Sequence, residues 1–256
     1  MNAGPAVSGG RSLWRGALML ALLVGAFAIL VGLGTWQVQR LHWKEGLLAS
    51  IDQRIHSAPQ GLAEMERRFA ETGDVDYEPV VVGGTFVHSA ERHFFATWKG
   101  APGYHVYTPL RLDDGRYLFV NRGFVPFDDK EAATRPQGQV EGRVELTGLA
   151  RDPIPGKPSS LVPDNDPAGN IFYWKDLAAM AATSGLPADA AVLPFFVDAG
   201  PAPNPGGLPV GGVTLISLPN SHLQYAITWY GLAASLVAVA GAWFWRRRRA
   251  RTEPRS

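Results

Sequence analysis

The sequence predicts an integral membrane α+β protein in which two transmembrane helices flank a β-rich extracytoplasmic domain with a few helices. Three observations support this prediction. Two long uncharged apolar runs lie near the two ends of the 256-residue chain. The part between them contains short runs rich in Val, Tyr, Phe and Thr, bounded by Gly, Pro and Asp. Charged residues make up only 18% of the chain, whereas about 25% is usual for soluble domains.

The first apolar run, from Gly16 to Trp36, predicts a transmembrane helix. It contains 21 residues without a charge, and about 20 apolar residues are enough to cross the hydrocarbon core of a bilayer. A cleaved signal peptide is the alternative, but its apolar core would be only about 7–15 residues long and would be followed by a small-residue cleavage site. We therefore expect an uncleaved transmembrane helix at residues 16–37, after an N-terminal tail of residues 1–15.

The second apolar run, from Leu223 to Trp245, predicts a transmembrane helix at residues 221–245, followed by a basic tail of residues 246–256. Both runs contain small residues spaced four apart, a spacing that favours close packing of membrane helices. The alternative is that small residues are simply common in such helices. The pairs are Ala21/Gly25, Ala28/Gly32, Gly231/Ser235 and Ala234/Ala238.

The arginines predict the orientation of the two helices. The N-terminal and C-terminal tails together carry a net charge of +7, and the remainder of the chain carries −6. Basic residues next to membrane spans stay on the cytoplasmic side. We therefore expect cytoplasmic termini and a periplasmic domain at residues 38–220, in the cell inner membrane or, for a eukaryotic protein, the mitochondrial inner membrane. The acidic middle part does not favour nucleic acid as a partner.

The part between the two apolar runs has the pattern of a β-sheet or partial barrel. We expect Gln37–Ile55 to continue the first helix, and residues 61–70 and 174–183 to form short helices. Asp113-Asp114-Gly115 predicts a hairpin turn. The predicted strands are residues 79–87, 93–98, 104–112, 117–120, 140–149, 192–198 and 213–218.

Nothing in this sequence favours an enzyme, and we expect no catalytic residues. The absence of cysteine excludes disulfides, thiolate metal sites and covalently attached c-type haem. His88 and His93 are five residues apart, a spacing that suits neither one helix face nor one strand face, so a metal site there is not favoured. Asp113 and Asp114 have the pattern of turn residues rather than of an acid–base pair.

His222 is the candidate functional residue because it lies where the chain enters the second apolar run. On a helix, Tyr225, Ala226 and Trp229 share its face. A neutral imidazole beside aromatic side chains provides an axial ligand and a slot for a haem. The alternative is an interfacial histidine within an ordinary aromatic belt, and the residues alone favour that alternative. Arg40 and Lys44 would meet haem propionates or, more commonly, lipid phosphates.

Several motifs resemble the Surfeit locus protein family of cytochrome c oxidase assembly factors. LGTWQVQRLHWKEGLL is similar to the opening motif of that family, and SHLQYAITWYGLA is similar to its closing motif. Between them, GTFVHSAE, GYHVYTPL, VNRGFVP and TRPQGQVEGRVELTGLAR follow in the family order. The resemblance extends from about residue 32 to residue 235.

The resemblance implies a non-catalytic assembly factor of respiratory chain complex IV that binds haem a transiently and assists its insertion into the oxidase. It implies that His222 is the ligand of the haem iron and that Tyr225 and Trp229 line the cofactor site. The implied partners are the catalytic subunit of cytochrome c oxidase, haem a synthase and membrane lipid. Residues of the same motifs for which a role in folding is the alternative are Trp36, Gln37, Arg40, Trp43, Asn121, Arg122 and also Tyr225.

Two other functions remain as alternatives. One is a protein-binding chaperone that stabilises an oxidase subunit without haem, and the other is a membrane-anchored periplasmic enzyme. Copper delivery is disfavoured because soft thiolate and thioether ligands suit copper(I), and the chain has no cysteine and only four methionines.

Overall fold

The computed structural model describes residues 9–214 and 219–252, and side chains over residues 14–214 and 219–249. The chain divides into two compact units. A helical unit contains the chain up to Ala49 and from Ser217 onwards, and a β-rich unit contains Ser50–Ile216. As predicted, a sheet-rich middle part with few helices is flanked by two long apolar helices.

Two long helices begin and end the described chain. Helix α1 runs over Gly9–Ile55, and helix α4 over His222–Thr252. No proline interrupts either helix, so α1 continues beyond its apolar run as expected for Gln37–Ile55. Both helices are long and apolar enough to cross a membrane, by length and composition.

The two long helices pair within the helical unit along a seam that repeats every three and four residues. The least exposed positions of α4 follow this spacing throughout, and those of α1 include a matching series. A repeat averaging 3.5 residues is typical of helices that coil around each other with left-handed twist. The positions are Leu23, Leu30, Gly34, Gln37, Leu41 and Lys44 in α1, and His222, Ala226, Trp229, Ala233, Leu236, Ala240 and Trp243 in α4.

The predicted small-residue pairs do not lie in this seam, and that prediction is wrong. A Cβ atom added at Gly25, Gly32 or Gly231 would meet nothing within 4 Å. The small residues that bring the helices together are instead Gly34, Ala226 and Ala233, among others of the seam. The predicted pairs lie on other faces of the two helices, because a spacing of four residues occurs on every face and only the facing helix selects the one that packs.

The β-rich unit is built on a seven-stranded sheet that closes on itself. Strands β2, β6, β7, β5 and β4 form a complete circuit, because β2 pairs with β6 and also with β4. Strands β5 and β7 pair in parallel, and the other pairs of the circuit are antiparallel. The expected sheet or partial barrel is therefore a closed five-stranded barrel. The strands are β1 (Gln60–Gly61), β2 (Pro79–Phe86), β3 (Arg92–Trp98), β4 (Ala101–Leu112), β5 (Tyr117–Pro126), β6 (Arg143–Arg151) and β7 (Val192–Ala199).

Six of the seven predicted strands are present, with shifted ends, and the hairpin turn joins β4 to β5 as predicted. The prediction of a strand at residues 213–218 is not met at Val213 and Thr214, and residues 215–218 lie outside the described residues. Two short helices, α2 (Leu62–Thr72) and α3 (Leu177–Thr183), correspond to the predicted ones. Helix α3 begins three residues later than expected, because Asp176 is its N-cap and accepts a hydrogen bond from the N–H of Ala179 (2.9 Å).

Two apolar clusters share the strands of the barrel. Alternate residues of a strand point to opposite faces, so Phe195 belongs to one cluster and Phe196 to the other. Helix α2 packs on the first cluster through Met65 and Phe69, whose ring lies 5.7 Å from that of Phe195. Helix α3 packs on the second cluster through Met180 and its partly buried neighbours.

The barrel also holds a neutralised buried charge. The Asp198 carboxylate accepts hydrogen bonds from the Asn121 amide (2.9 Å) and the Thr214 hydroxyl (2.9 Å). Its second oxygen also lies 3.3 Å from the Arg151 guanidinium, which bonds Asp76 as well (2.7 Å). A buried carboxylate with this many donors is compensated for its loss of water. Asn121 therefore has a structural role here.

Closure of the barrel depends on close approach of β2 and β4 at Gly84. A Cβ atom there would lie 2.4 Å from the backbone oxygen of Arg111. We expect Gly84→Ala to lower the free energy of unfolding by about 1–3 kcal/mol, because the backbones must separate. Gly156→Ala is the control, since a Cβ atom there meets nothing within 4 Å; we expect a change within about 0.5 kcal/mol. Urea unfolding of the detergent-solubilised chain compares the variants, and equal midpoints would contradict this close approach.

The stability of the β-rich unit should fall in mild acid because of His105. Burial lowers the pKa of His105 to about 4, whereas an unfolded histidine titrates near 6.5. Between these values the unfolded chain binds the extra proton, so stability is lost as the pH falls from 6.5 towards 4, by at most about 3 kcal/mol. Urea midpoints measured from pH 7 to pH 4.5 test this.

His105→Phe provides the matched variant, because His105 already packs beside the rings of Phe94 and Phe124. We expect a shallower pH dependence for this variant than for the wild type. His56→Gln is the control, since the His56 side chain is 72% exposed, and its profile should follow the wild type. A wild-type slope in His105→Phe would show that other groups carry the acid sensitivity.

Candidate functional site

The candidate site is centred on His222, whose imidazole is held by one side chain of α1. His222 Nδ1 lies 2.7 Å from Gln37 Oε1. An amide oxygen only accepts hydrogen bonds, so Nδ1 carries the hydrogen of this bond and donates it. Nε2 is then the nitrogen with the free lone pair, and it makes no hydrogen bond to any residue that the structure describes. The ring is thus oriented and presents a metal-binding nitrogen.

The positions of both residues follow from the start of α4 and from the helix seam. His222 is the first residue of α4, and the preceding Asn220 side chain accepts from its backbone N–H (3.5 Å). Gln37 lies in the α1 half of the seam, at the end of the apolar run. Its amide is therefore directed at the partner helix rather than at the surroundings.

A second polar contact fixes the register of the helices two turns further along. The Thr35 hydroxyl and the Tyr230 hydroxyl lie 3.0 Å apart. The Tyr230 ring covers Gly34, where an added Cβ atom would come within 2.9 Å of the ring. Because residue numbers rise along α1 while they fall along α4, the two helices are antiparallel. These contacts hold Gln37 opposite His222.

The aromatic neighbours of His222 are placed differently from one another. Ala226 is only 2% exposed and lies in the seam, and Trp229 is half-buried beside it. Tyr225 is 54% exposed and Trp36 is equally exposed at 54%. The structure therefore places Trp229 in the helix seam together with His222, and leaves Tyr225 on the outer surface of α4.

Basic side chains of α1 lie close to the start of α4. Lys44 Nζ donates to the backbone oxygen of Pro219, three residues before His222. The Arg40 guanidinium lies 3.8 Å from the centre of the Trp43 ring, and Arg40 and His42 are exposed. Lys44 thus helps to fix the entry of α4, while Arg40 provides an accessible positive charge.

The donor set fits a haem better than a bare metal ion. Haem iron needs few protein ligands because the porphyrin supplies four nitrogens, and a histidine is a common axial ligand. Among the residues that the structure describes, no group of three His, Asp or Glu side chains is placed to hold a metal ion. His88 is engaged through Nε2, which lies 2.8 Å from the backbone oxygen of Val140. His93 lies 3.2 Å from Glu91.

Sequence reasoning did not identify the contacts that organise the site. The motif that contains Gln37 does not indicate its contact with His222, and no sequence pattern indicates the contact between Thr35 and Tyr230. One signal was present: Gln37 is the first strongly polar residue after the first apolar run, and His222 immediately precedes the second. Polar side chains of paired apolar helices commonly bond across the helices.

Along the sequence, one apolar helix of membrane-spanning length precedes the barrel and a second one follows it. The fold and the site together define a class of proteins with this order of elements. The chain belongs to the SURF1 family, whose family model matches residues 24–234. It is 36% identical to a SURF1-like protein of Monosiga brevicollis, over 92% of this chain and 90% of that protein. It is 38% identical to Surfeit locus protein 1 of Rattus norvegicus and 37% identical to that of Homo sapiens. These matches cover 87% and 89% of this chain, and 73% and 75% of those proteins.

Proposed function

We propose that this protein is a membrane-bound assembly factor of a haem–copper oxidase, which holds haem a at His222 and assists its insertion into the catalytic subunit. The observation that carries this proposal is the hydrogen bond from His222 Nδ1 to Gln37 Oε1 (2.7 Å). Metal-bound histidines almost always donate their other ring N–H to a second group, which fixes the tautomer and the ring orientation. The same arrangement supports His222 as the ligand of the haem iron.

The exposed side chains of the two long helices support insertion in a membrane. Large apolar residues such as Leu22, Ile29, Ile227 and Val239 are each more than 60% exposed. An apolar surface of this extent needs a lipid or protein cover. The arginines at residues 246–249 follow the second span, which favours cytoplasmic termini and a periplasmic domain, or one in the intermembrane space.

The surroundings of His222 suit the parts of a haem a molecule. His222 would hold haem a through Nε2, and the haem would supply the iron to which this nitrogen binds. Trp229 and Tyr225 offer aromatic surface beside the macrocycle, and Arg40 offers a positive charge for a propionate. The apolar tail of haem a would remain in lipid. In this role the protein binds and transfers its cargo, and it acts with the oxidase catalytic subunit and haem a synthase rather than as an enzyme.

Replacing His222 tests the proposed ligand directly. We expect His222→Ala to lose the haem a spectrum of imidazole coordination and to bind haem a more than about 100-fold more weakly, because the axial ligand is gone. Spectroscopic titration of the detergent-solubilised full chain measures both effects. His42→Ala is the matched control, since His42 is an exposed histidine of the same unit. An unchanged spectrum and affinity in His222→Ala would favour the protein-binding chaperone without haem.

Replacing Gln37 tests whether the second residue orients the ligand. Gln37→Ala frees His222 Nδ1, and loss of such an outer partner typically weakens metal binding about 10- to 100-fold. Gln37→Glu keeps an acceptor at the same place and makes the imidazole more basic, so we expect affinity for haem a at least equal to the wild type. The same titration measures the series, and wild-type affinity in Gln37→Ala would refute the orienting role.

A further inference from the structure

The β-rich unit contains a large groove beside strand β6 that the proposed haem site does not use. Its volume is about 950 Å³. One wall is β6 over Val144–Leu149, and the other is the proline-rich chain that follows β7, over Ala199–Pro205. Phe86 and Arg122 also line it. Six residues of a strand span about 20 Å, so the groove is long enough for an extended peptide.

The groove exists because the chain leaves β6 at the end of β7. The two strands pair up to Gly148 and Ala199, and the last bond runs from the N–H of Gly200 to the oxygen of Thr147 (3.0 Å). Beyond that point the chain packs closely on Gly211, where an added Cβ atom would lie 2.5 Å from the Gly200 oxygen. The turn away from β6 is therefore a built feature of the fold.

This divergence leaves an edge of β6 open to the groove. In an antiparallel ladder, the N–H and C=O of alternate residues point to the same side. Because the oxygen of Thr147 faces β7, the N–H and C=O of Glu145 face the same way. Within the described residues, neither group of Glu145 bonds on that side. An open strand edge of this kind is a template for an added strand.

Arg122 gives the groove a buried positive charge without an acidic partner. It is only 2% exposed, and no carboxylate of a described residue lies within 4.0 Å of it. Its guanidinium contacts the oxygen of Gly138 and, at 3.3 Å, Nδ1 of His88, while Nε has no hydrogen-bond partner in the described part of the chain. The Phe86 ring lies 4.8 Å away. A buried unpaired cation is unfavourable, and an incoming carboxylate would offset its cost.

The nearby acidic residues are already engaged or lie at the edge of the groove. Glu91 contacts Arg135, and Asp198 is bound by Arg151, Asn121 and Thr214. Glu145 is exposed. Burial lowers the pKa of Arg122 to about 10, so the guanidinium still carries its charge at neutral pH.

We propose that this groove binds an extended segment of a partner protein, whose backbone pairs with the open edge of β6 and whose Asp or Glu side chain pairs with Arg122. The walls are held in place before binding. The Asn204 amide donates to the oxygen of Arg122 (3.4 Å), and Val210 exchanges two backbone bonds with Phe124 (2.9 and 2.8 Å). A rigid groove loses little conformational entropy on binding. The identity of the partner, an oxidase subunit, rests on the proposed function.

The probe is a set of labelled synthetic hexapeptides of alternating Val and Thr. Each peptide has one Asp, placed at a different position. Fluorescence polarisation measures their binding to the detergent-solubilised full chain. We expect the best Asp peptide to bind at least about tenfold more tightly than its Asn analogue, since a carboxylate–guanidinium bond is lost. The difference should vanish in Arg122→Gln. Equal binding of the Asp and Asn peptides would overturn the proposal.

A second pair of variants tests whether the peptide backbone pairs with β6. This pair still tests the proposal if Arg122→Gln does not fold. Glu145→Pro removes the N–H that faces the groove, while it leaves the bonds to β2 on the other side. We expect it to weaken peptide binding at least about fivefold, whereas Glu145→Gln should bind at least as well as the wild type. Equal binding by these two variants would overturn strand addition.

Decanoate provides the test of a small amphipathic carboxylate as the occupant instead. We expect it to compete poorly with the best Asp peptide. Strong binding of decanoate together with no binding of any peptide would overturn a protein partner. The haem titration depends on His222 and the peptide titration on Arg122, so failure of one proposal is distinguishable from failure of the other.

Discussion

The candidate site depends on one constraint, which is the pairing of the two long helices along a seam with a seven-residue repeat. The seam places Gln37 of α1 opposite His222 of α4, and the contact between Thr35 and Tyr230 sets the same register. Gly34 is needed at this level because the Tyr230 ring lies where a larger side chain would be. A shift of one residue along either helix would rotate its seam position by about 100° and separate Gln37 from His222. The packing of apolar and small residues thus determines which ring nitrogen of His222 is hydrogen-bonded and which one is free.

Two buried charges of the β-rich unit have opposite surroundings. Asp198 is surrounded by donors from Arg151, Asn121 and Thr214, which makes it a part of the folded barrel. Arg122 is also buried, but its hydrogen-bond partners in the described residues are a carbonyl oxygen and a neutral imidazole, with no carboxylate. Burial and the nearby guanidinium of Arg122 lower the pKa of His88, so this imidazole acts as an acceptor and does not add a second positive charge. The contrast between the two residues distinguishes a structural charge from one that is available to a ligand.

The sequence was sufficient for the elements whose signal is local. The apolar runs, the alternating strands and the Asp-Asp-Gly turn depend on neighbouring residues, and the corresponding helices, strands and hairpin are present. Barrel closure was not predictable, because it depends on the contact between Gly84 and Leu112, 28 positions apart. The helix seam was missed for a related reason: glycines and alanines spaced four apart are frequent, and only the facing helix decides which of them are in contact. His222 could be found from its place at the start of an apolar run, but Gln37 as its partner required the register of two distant segments.

The character of the His222 site is consistent with temporary rather than permanent binding of a cofactor. The acceptor for Nδ1 is a neutral amide, which raises the basicity of the imidazole less than a carboxylate would. Tyr225 and Trp36 are exposed instead of enclosing the ring. Permanent haem sites combine strong axial ligation with burial of the macrocycle, and both features slow release. In the proposed function, a half-buried imidazole with one oriented nitrogen would hold a haem without enclosing it, and it would leave open the side from which an oxidase subunit takes it.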